Sequence, residues 1–371
     1  MLTRRSALCA TVALFAGAGT MVACSDLPLP KAERPGMQNA PIRRLRAGAT
    51  FHGFWNYESD REMILALRTL RNAGGRWVRI DLGWAAVETA RGVDSDWALE
   101  KYDHAIEVAR SEDLKVLLVL QRTPGWANGS DDEALAPNDP SVFGDFALRM
   151  SQRYEGKVSA IELWNEPNHS SFFTARQEGQ EAPEHAAMVE DAYRKIKEYG
   201  PQGDEALVVL AGGTSEVDIG WWERMYALGV ADFTDVVAVN PYPVPADASI
   251  TDISNGSSRI QEIDQLMDLM AGEGDSSKSI WVTELGWSTH RSEVGSKDTR
   301  LNVDDETQAD RFEEVVRLVE KDYPQIEMLL WYNLRDLGGS GDGFETGFGL
   351  LGHDLEPKPV LRRMDELFVG N

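Results

Sequence analysis

The sequence contains very few cysteines. Only Cys9 and Cys24 occur among its 371 residues, and both lie near the amino terminus. Beyond residue 24 the chain therefore has no thiol with which to build a disulfide framework or a thiolate zinc site. Hydrophobic residues make up 42% of the sequence, so we expect the folded part to be held together by a large apolar core.

Basic residues are also scarce relative to acidic ones. Lys and Arg number 37 against 61 Asp and Glu, which gives a formal net charge of −24. Such a surface repels phosphate backbones, so we expect no nucleic-acid partner. The 6 histidines are scattered without a metal-ligand spacing, and no phosphate-binding loop motif occurs. We therefore expect no catalytic metal and no cofactor.

Long apolar runs are limited to the amino terminus. Mostly apolar and small residues extend from Ala7 to Ala23, directly after Arg4 and Arg5. A charged start, an apolar middle and a small-residue end are typical of an export signal, so residues 1–23 are predicted to be a signal peptide. The arginine pair is compatible with twin-arginine export and with the general secretory route.

The end of this segment predicts a membrane anchor. Met21-Val22-Ala23-Cys24 resembles a bacterial lipobox, in which Cys24 would be acylated and become the new amino terminus. Residues 24–47 contain several prolines and are interpreted as an extended tether behind this lipid anchor. We expect the mature protein to work outside the cytoplasm, in the periplasm or at the cell surface, attached to the membrane.

From residue 48 onward, short apolar runs alternate with helical patterns. The runs predicted as strands are Thr50 to Trp55, Trp77 to Leu82, Lys115 to Gln121, Ser159 to Trp164, Leu207 to Ala211, Val236 to Asn240, Ile280 to Thr283 and Met328 to Tyr332. The helical patterns include Asp60 to Ala73, Asp304 to Asp322 and Pro359 to Phe368. Parallel strands joined by crossover helices produce this alternation.

Eight such units predict an α/β fold, a (β/α)8 TIM barrel, as a single domain over residues 48–371. An open doubly wound sheet is the alternative. That fold usually carries a phosphate-binding glycine motif after its first strand, and Phe51-His52-Gly53-Phe54-Trp55 is not one. In a barrel the active site lies where the strands end, so the residues just after each apolar run are the candidates.

A glutamate follows two of the predicted strands at this level. The fourth strand continues into Asn165-Glu166-Pro167, and the seventh ends at Thr283-Glu284-Leu285. Two carboxyl groups facing each other across a pocket are what cleavage of a glycosidic bond requires, because one protonates the leaving oxygen while the other attacks or activates water. Glu166 and Glu284 are therefore the predicted catalytic pair.

These residues carry a family resemblance. Trp164-Asn165-Glu166-Pro167-Asn168 and Thr283-Glu284-Leu285-Gly286-Trp287 resemble the acid/base and nucleophile motifs of the clan A glycoside hydrolases, which are retaining barrels. Thr123-Pro124-Gly125-Trp126-Ala127 and Trp331-Tyr332-Asn333-Leu334-Arg335-Asp336 are most similar to family 39, with family 5 close behind. The resemblance extends over roughly residues 49–365. The motifs depart from the pattern of many relatives at Asn240-Pro241-Tyr242 and at Gln121-Arg122, positions that bear on the sugar contacts.

The resemblance implies a role for several residues. Glu166 would be the general acid/base and Glu284 the nucleophile, with their carboxyl groups about 5 to 5.5 Å apart and retention of anomeric configuration. Asn165 would contact the sugar 2-hydroxyl, Tyr242 and Arg79 would contact the nucleophile, and Trp331 would lie under the reacting sugar. Asn240 and His52 are further candidates for substrate contacts.

Tryptophan is abundant, with 11 residues in the chain. Sugar rings stack their C–H faces on indole rings, so Trp84, Trp126, Trp287 and Trp331 are predicted to form walls of the substrate site. Trp55 is compatible with either core packing or the site.

The sequence thus predicts an exported retaining glycoside hydrolase that acts on a polysaccharide or oligosaccharide as a monomer. Two alternatives stay open. The same residues would serve a transglycosylase, which passes the glycosyl group to a sugar. A carbohydrate-binding barrel without turnover is disfavoured by the complete catalytic pair.

Overall fold

Parallel strands and helices alternate along the chain from residue 46. The computed structural model describes residue 42 and residues 44–243, 260–289, 302–337 and 343–370. The strands are β1 Arg46–Thr50, β2 Trp77–Gly83, β3 Glu88–Ala90, β4 Val93–Asp94, β5 Lys115–Gln121, β6 Ala160–Leu163, β7 Val208–Leu210, β8 Thr214–Ser215, β9 Val237–Asn240, β10 Ile280–Leu285 and β11 Ile326–Trp331. The helices are α1 Asp60–Asn72, α2 Trp84–Val87, α3 Asp96–Ser111, α4 Gly125–Asn128, α5 Pro140–Arg153, α6 Glu181–Tyr199, α7 Ile219–Ala227, α8 Ile263–Gly272, α9 Asp305–Asp322 and α10 Pro359–Phe368.

Nine strands form one parallel sheet in the order β7-β6-β5-β2-β1-β11-β10-β9-β8. A parallel bridge between Leu210, the last residue of β7, and Val236, directly before β9, closes the sheet. It is supported by a backbone hydrogen bond of 2.8 Å from Asp235 to the carbonyl of Val209. The sheet therefore curls into the predicted TIM barrel, with β3 and β4 forming a separate small hairpin.

The helices begin where the sequence offers capping side chains. Ser59, Asp139 and Asp304 precede α1, α5 and α9, and the side chain of each accepts a hydrogen bond from a backbone N–H of the first turn. These groups would otherwise lack partners inside the helix. Capping explains why the predicted starts of α1 and α9 agree with the structure within one residue.

The first strand was predicted too late in the chain. It was expected over Thr50 to Trp55, whereas β1 spans Arg46–Thr50 and the residues after it form a turn. A Cβ on Gly48 would lie 2.2 Å from the carbonyl oxygen of Trp77, so this strand must carry small residues. Because Ala47, Gly48 and Ala49 give little apolar signal, the larger rings after the strand were mistaken for it. The other predicted strands overlap the observed ones.

Residues of the predicted tether make contacts with the barrel before β1 begins. The backbone N–H of Ile42 donates to the carbonyl of Leu367. The guanidinium of Arg44 donates to carbonyl oxygens of Val319 and Pro324 at the end of α9. These contacts attach the segment before β1 to the barrel. The predicted signal peptide and the lipidation residue Cys24 lie outside the described residues.

The inward-facing side chains change character along the barrel. At the amino-terminal ends of the strands the interior is apolar, with Trp77, Ala160, Ala238 and Trp281 among its members. Side chains alternate between the two faces of a strand, so the inward residues two positions later are Arg79, Glu162, Asn240 and Thr283, all of them buried. Polar groups therefore collect at the carboxyl-terminal ends. Among the helices that the structure describes, none is both long and apolar enough to cross a membrane.

Candidate active site

Arg79 lies at the centre of the polar layer. Its side chain is fully buried and donates from Nε to Glu162 Oε2 at 2.8 Å, from Nη1 to Glu284 Oε1 at 2.6 Å and from Nη2 to Asn165 Oδ1 at 2.8 Å. A weaker contact of 3.3 Å joins Nη1 to Asp81. A planar guanidinium with five donors can hold several acceptors in fixed directions. Arg79 thereby fixes side chains from β2, β6 and β10.

Glu284 follows Thr283 in β10 and has a donor on each carboxyl oxygen. Arg79 occupies Oε1, and the Tyr242 hydroxyl donates to Oε2 at 2.8 Å. The side chain is buried. Hydrogen bonds to a charged acceptor favour its ionised form. The contacts of Glu284 therefore suit a carboxylate.

Glu166 is held by the turn that follows β6. Trp164 and Glu166 have positive φ angles of 95° and 45°, a conformation that is rare for residues other than glycine. The backbone N–H of Glu166 donates to the carbonyl of Gly213 at 2.9 Å. Its carboxyl oxygen Oε1 accepts from Asn240 Nδ2 at 3.1 Å, while Thr283 Oγ1 donates to Asn240 Oδ1 at 2.8 Å. Asn240 thus orients the carboxyl of Glu166 with a neutral amide.

The two glutamates differ in their electrostatic surroundings. Burial raises the pKa of both above the ordinary range of a glutamate. The negative charges of Glu166 and Asp81 raise the pKa of Glu284 further, whereas the Arg79 guanidinium and the Tyr242 hydroxyl lower it. The Asn240 amide, the charges of His169 and Arg79 and a hydrogen bond from Ser215 lower the pKa of Glu166. Glu284 thus accepts a hydrogen bond from a guanidinium, whereas Glu166 accepts one from a neutral amide.

Aromatic rings extend from the two glutamates to the rim of the barrel. Tyr332 lies with its ring centroid 6.3 Å from Tyr242 and 5.7 Å from His52, and His52 stacks on Trp55 at 4.8 Å. Burial lowers the pKa of His52, while nearby Asp81 acts in the opposite direction. Trp55 is 56% exposed, so much of its surface is open to solvent. We call these four residues the aromatic row.

Four tryptophans were predicted to line the site, and three of them lie in the core instead. Trp84, Trp287 and Trp331 are at most 1% exposed and point into the layer between the sheet and the helices. Trp331 stacks on Trp287, contacts Phe312 of α9 with its edge and donates from Nε1 to the carbonyl of Phe348. No face of these rings is open for a sugar. Tyr332, the residue directly after β11, contacts His52 and Tyr242 and so takes the position assigned to Trp331.

Trp126, the fourth of these tryptophans, is partly buried. Its ring meets Trp84 edge to face at 5.6 Å, and its Nε1 donates to the backbone carbonyl of Glu88 at 2.8 Å. Both contacts tie Trp126 to the region of α2 and β3, so its observed contacts are structural. The structure does bring together His52, Arg79, Asn165, Glu166, Asn240, Tyr242 and Glu284.

A polar cleft of about 460 Å³ opens beside Glu166. It is lined by Asn168, His169, Ser215, Glu216, Asp218, Ile219, Glu262 and Gln265. A hydrogen bond from the Ser215 side chain and the charge of His169 both influence the carboxyl of Glu166. Asn168 braces the cleft, since its amide donates to Ser215 and Asp218. The cleft therefore adjoins the carboxyl that the sequence predicts to be the acid.

Several residues of the site escaped prediction from the sequence. Glu162, Thr283 and Tyr332 had not been proposed as site residues, and Asp81 had no role assigned. Alternation within β6 is a signal that could have revealed Glu162, because a charged residue inside an otherwise apolar strand must have buried partners. Among the described residues, no three His, Cys, Asp or Glu side chains converge as ligands for a metal ion.

Comparison with known proteins places these features in context. Residues 38–251 match the family model described as Cellulase (glycosyl hydrolase family 5). A probable glucan 1,3-beta-glucosidase A of Aspergillus clavatus is 35% identical over 109 residues, which are 27% of this chain and 26% of that protein. The protein of the same name from Neosartorya fischeri is 34% identical over 110 residues, again 27% of this chain and 26% of the relative. The chain thus spans about a quarter of the length of these relatives.

Similar folds occur among solved structures. A family 39 glycoside hydrolase from Bacteroides cellulosilyticus superimposes with a TM-score of 0.66 at 19% identity, covering 88% of this chain and 64% of that one. A GH5_18 protein from Streptomyces cattleya, solved in complex with GlcNAc, gives a TM-score of 0.63 at 16% identity, with coverage of 88% and 80%. At these identities the similarity concerns the fold.

Proposed function

Because the chain belongs to glycosyl hydrolase family 5, we propose that it is a retaining glycoside hydrolase with Glu166 as general acid/base and Glu284 as nucleophile. Family 5 is one of the two families that its motifs resemble. The observation that carries the proposal is the asymmetry between the two carboxyls. Glu284 receives hydrogen bonds from Arg79 and Tyr242, whereas Glu166 contacts the neutral amide of Asn240.

This asymmetry is what double displacement needs. In the first step the Glu284 carboxylate attacks the anomeric carbon while Glu166 gives its proton to the departing oxygen, so a glycosyl ester forms and one sugar leaves. In the second step Glu166 takes a proton from water, the water oxygen attacks the anomeric carbon and the ester bond to Glu284 breaks. Each step inverts the configuration, and the two together retain it.

Arg79 and Tyr242 would prepare Glu284 for both steps. Their hydrogen bonds keep the buried carboxyl available as an anion before attack, and they stabilise it again when it departs from the sugar. Asn165 accepts a hydrogen bond from Arg79, which also donates to Glu284, and from there it would contact the 2-hydroxyl of the reacting sugar. These contacts act on charge that changes during the reaction, so they affect kcat more than binding.

The surroundings of the pair support a chain of sugars as substrate. The aromatic row offers ring surfaces on the side of Arg79 and His52, and the polar cleft lies on the side of Glu166. We infer that the aromatic row binds the sugar that becomes attached to Glu284, together with the sugars next to it on that side. The polar cleft receives the part of the substrate that leaves. Stacking on aromatic rings contributes binding energy without requiring a particular hydroxyl pattern.

A β-linked oligosaccharide or polysaccharide is the substrate class that we propose. The curated relatives carry the name of a glucan 1,3-beta-glucosidase, and one of the similar folds was solved with Manb1-4GlcNAc. We further propose that the protein acts outside the cytoplasm, attached through a lipid on Cys24, because the first residues combine an export pattern with a lipobox.

The test is a screen of β-linked polysaccharides followed by two variants. Glu284→Ala and Glu166→Ala should each lower turnover by several orders of magnitude, because one removes the nucleophile and the other the acid. Glu88→Ala, a change at a buried glutamate outside the site, is the control. Near-normal turnover in either site variant would refute the assignment. NMR of the first product should show the retained anomer, and inversion would contradict double displacement.

Added acceptor sugars separate hydrolysis from transglycosylation. Products longer than the substrate in the presence of an acceptor would favour a transglycosylase with the same residues. Binding of the polysaccharide by wild-type protein without any cleavage would favour a carbohydrate-binding barrel instead.

A further inference from the structure

Glu162 is a buried carboxyl inside the barrel, below the two catalytic glutamates. It is the third residue of β6, and its relative exposure is 0%. Both of its oxygens accept hydrogen bonds, Oε2 from Arg79 Nε and Oε1 from the backbone N–H of Gly213, each at 2.8 Å. A buried carboxylate is costly unless such partners satisfy it, so the two contacts constrain its position tightly.

The first contact leads to the nucleophile. Glu162 holds the Nε side of the Arg79 guanidinium, and the same planar group reaches Glu284 and Asn165 through its two terminal nitrogens. Because the guanidinium is rigid, fixing one edge fixes the direction of the other donors. The position of Glu284 therefore depends on a carboxyl that does not touch it.

The second contact leads to the acid. The N–H of Gly213 donates to Glu162, and its carbonyl accepts from the backbone N–H of Glu166 at 2.9 Å. A Cβ on this glycine would lie 2.3 Å from Thr283 Oγ1, so the backbone here has little room to shift. The turn at Trp164 and Glu166 has positive φ angles, which persist only when surrounding contacts hold them.

We propose that Glu162 is a positioning residue that sets both catalytic glutamates at once, Glu284 through Arg79 and Glu166 through Gly213. The proposal rests on the function proposed above for Glu166 and Glu284. A displacement of about 1 Å in such a site can cost on the order of 100-fold in rate. Glu162 thus affects the chemical step without contacting the substrate.

Glu162→Gln is the direct test. Glutamine has nearly the same shape but only one acceptor oxygen, so its NH2 group must face one of two N–H donors. Either Arg79 or Gly213 then loses its partner. The rate at which a 2-deoxy-2-fluoro glycoside of the cleaved sugar labels Glu284 reports the attack of the nucleophile. We expect this rate to fall about 100-fold or more, with a smaller change in the KM for the unmodified substrate.

Glu88→Gln is the matched control. Glu88 is also buried, and its two oxygens accept from Trp84 Nε1 at 2.8 Å and from the backbone N–H of Gly92 at 2.7 Å. Its replacement should lower the melting temperature to a similar extent and leave the labelling rate near that of the wild type. Equal losses of labelling in both variants would show a general effect of destabilisation and overturn the proposal.

The remaining outcomes are also decisive. Labelling of Glu162→Gln within about threefold of the wild-type rate would refute the positioning role while leaving the proposed function intact. If that variant does not fold, Glu162→Asp keeps the charge but is one methylene shorter and cannot reach both partners. Wild-type kcat in this second variant would equally overturn the idea. A wild type that is never labelled at Glu284 would remove the proposed function itself.

Discussion

The hydrogen bond from Tyr242 to Glu284 offers a quantitative test of the site. In Tyr242→Phe the ring can keep its edge contacts with Tyr332 and Phe348, whose centroids lie 6.3 and 6.0 Å away. Only the hydroxyl that donates to Glu284 Oε2 at 2.8 Å is lost. The substitution therefore removes one hydrogen bond to a buried carboxylate with little change in shape.

The size of the effect follows from that contact. A hydrogen bond to a charged group contributes about 1.5 to 3 kcal/mol, and each pKa unit corresponds to about 1.4 kcal/mol. The hydroxyl favours the ionised form of Glu284 and lowers its pKa. Its removal should raise the pKa of Glu284 by about 1 to 2 units.

The assay is the pH dependence of kcat/KM on the substrate that the screen identifies. Under the proposed mechanism, activity requires ionised Glu284 and protonated Glu166, so the acidic limb of the profile reports Glu284 and the basic limb reports Glu166 in the free enzyme. In Tyr242→Phe the acidic limb should move to higher pH by about 1 to 2 units, while the basic limb changes less. The pH range of activity becomes narrower.

Tyr226→Phe is the control for this measurement. The hydroxyl of Tyr226 also donates to a carboxylate, Asp275 Oδ2 at 3.0 Å, but this pair lies between α7 and α8 and not among the catalytic residues. The pH profile of kcat/KM for Tyr226→Phe should coincide with that of the wild type. An acidic limb in Tyr242→Phe that coincides with the wild-type limb would refute the inference that this hydroxyl sustains the Glu284 anion.

Three further predictions follow from burial and exposure. Burial lowers the pKa of His185 to about 4, whereas an unfolded histidine titrates near 6.5, at about 1.4 kcal/mol per unit. Below pH 6.5 the unfolded chain binds a proton at His185 that the folded protein does not bind until about pH 4. The folded protein therefore loses stability as the pH falls from 6.5 towards 4. Urea denaturation at pH 7 and at pH 4.5 measures this loss of stability. It should be about 2.4 kcal/mol smaller in His185→Gln than in the wild type. The exposed His104→Gln is the control, and equal losses in His185→Gln and the wild type would contradict the buried neutral state. Trp331→Ala should lower the free energy of unfolding by about 3 to 5 kcal/mol, because it removes a buried ring. Tyr332→Ala should mainly lower kcat/KM. If denaturation and kinetics showed the reverse pattern, the assignment of Tyr332 to the site would be contradicted. Trp55→Ala should raise the KM for long oligosaccharides about tenfold, as expected for the loss of a stacked ring, and leave the KM for the shortest substrate unchanged; equal effects on both would exclude a remote stacking role.

The sequence determined the fold class and pointed to the proposed catalytic pair because both depend on local patterns. Alternating strands and helices specify a barrel, and a residue directly after a strand must lie at the carboxyl-terminal mouth whichever way the barrel closes. Glu166, Glu284 and Tyr242 satisfy this condition, and their chain positions were sufficient to predict that they would meet. Arg79 lies inside β2 and was predicted through the family resemblance.

The direction of individual side chains depended on the tertiary structure. Trp331 and Tyr332 are adjacent in the chain, yet Trp331 faces the helices and Tyr332 faces the active site, because successive side chains of extended backbone point to opposite sides. The strand β1 could not be recognised from the sequence. Gly48 lies so close to the Trp77 carbonyl that a larger residue is excluded there, and larger apolar residues are what mark a strand in a sequence.

Long-range polar contacts were likewise decided by the fold. Glu162 is separated from Arg79 by 83 positions and from Gly213 by 51, and no local pattern links them. Closure of the barrel brings these residues into one buried layer, where each charged side chain needs a hydrogen-bond partner. Sequence patterns therefore pointed to the two glutamates proposed to react, and the closed tertiary structure determined which residues hold them in place.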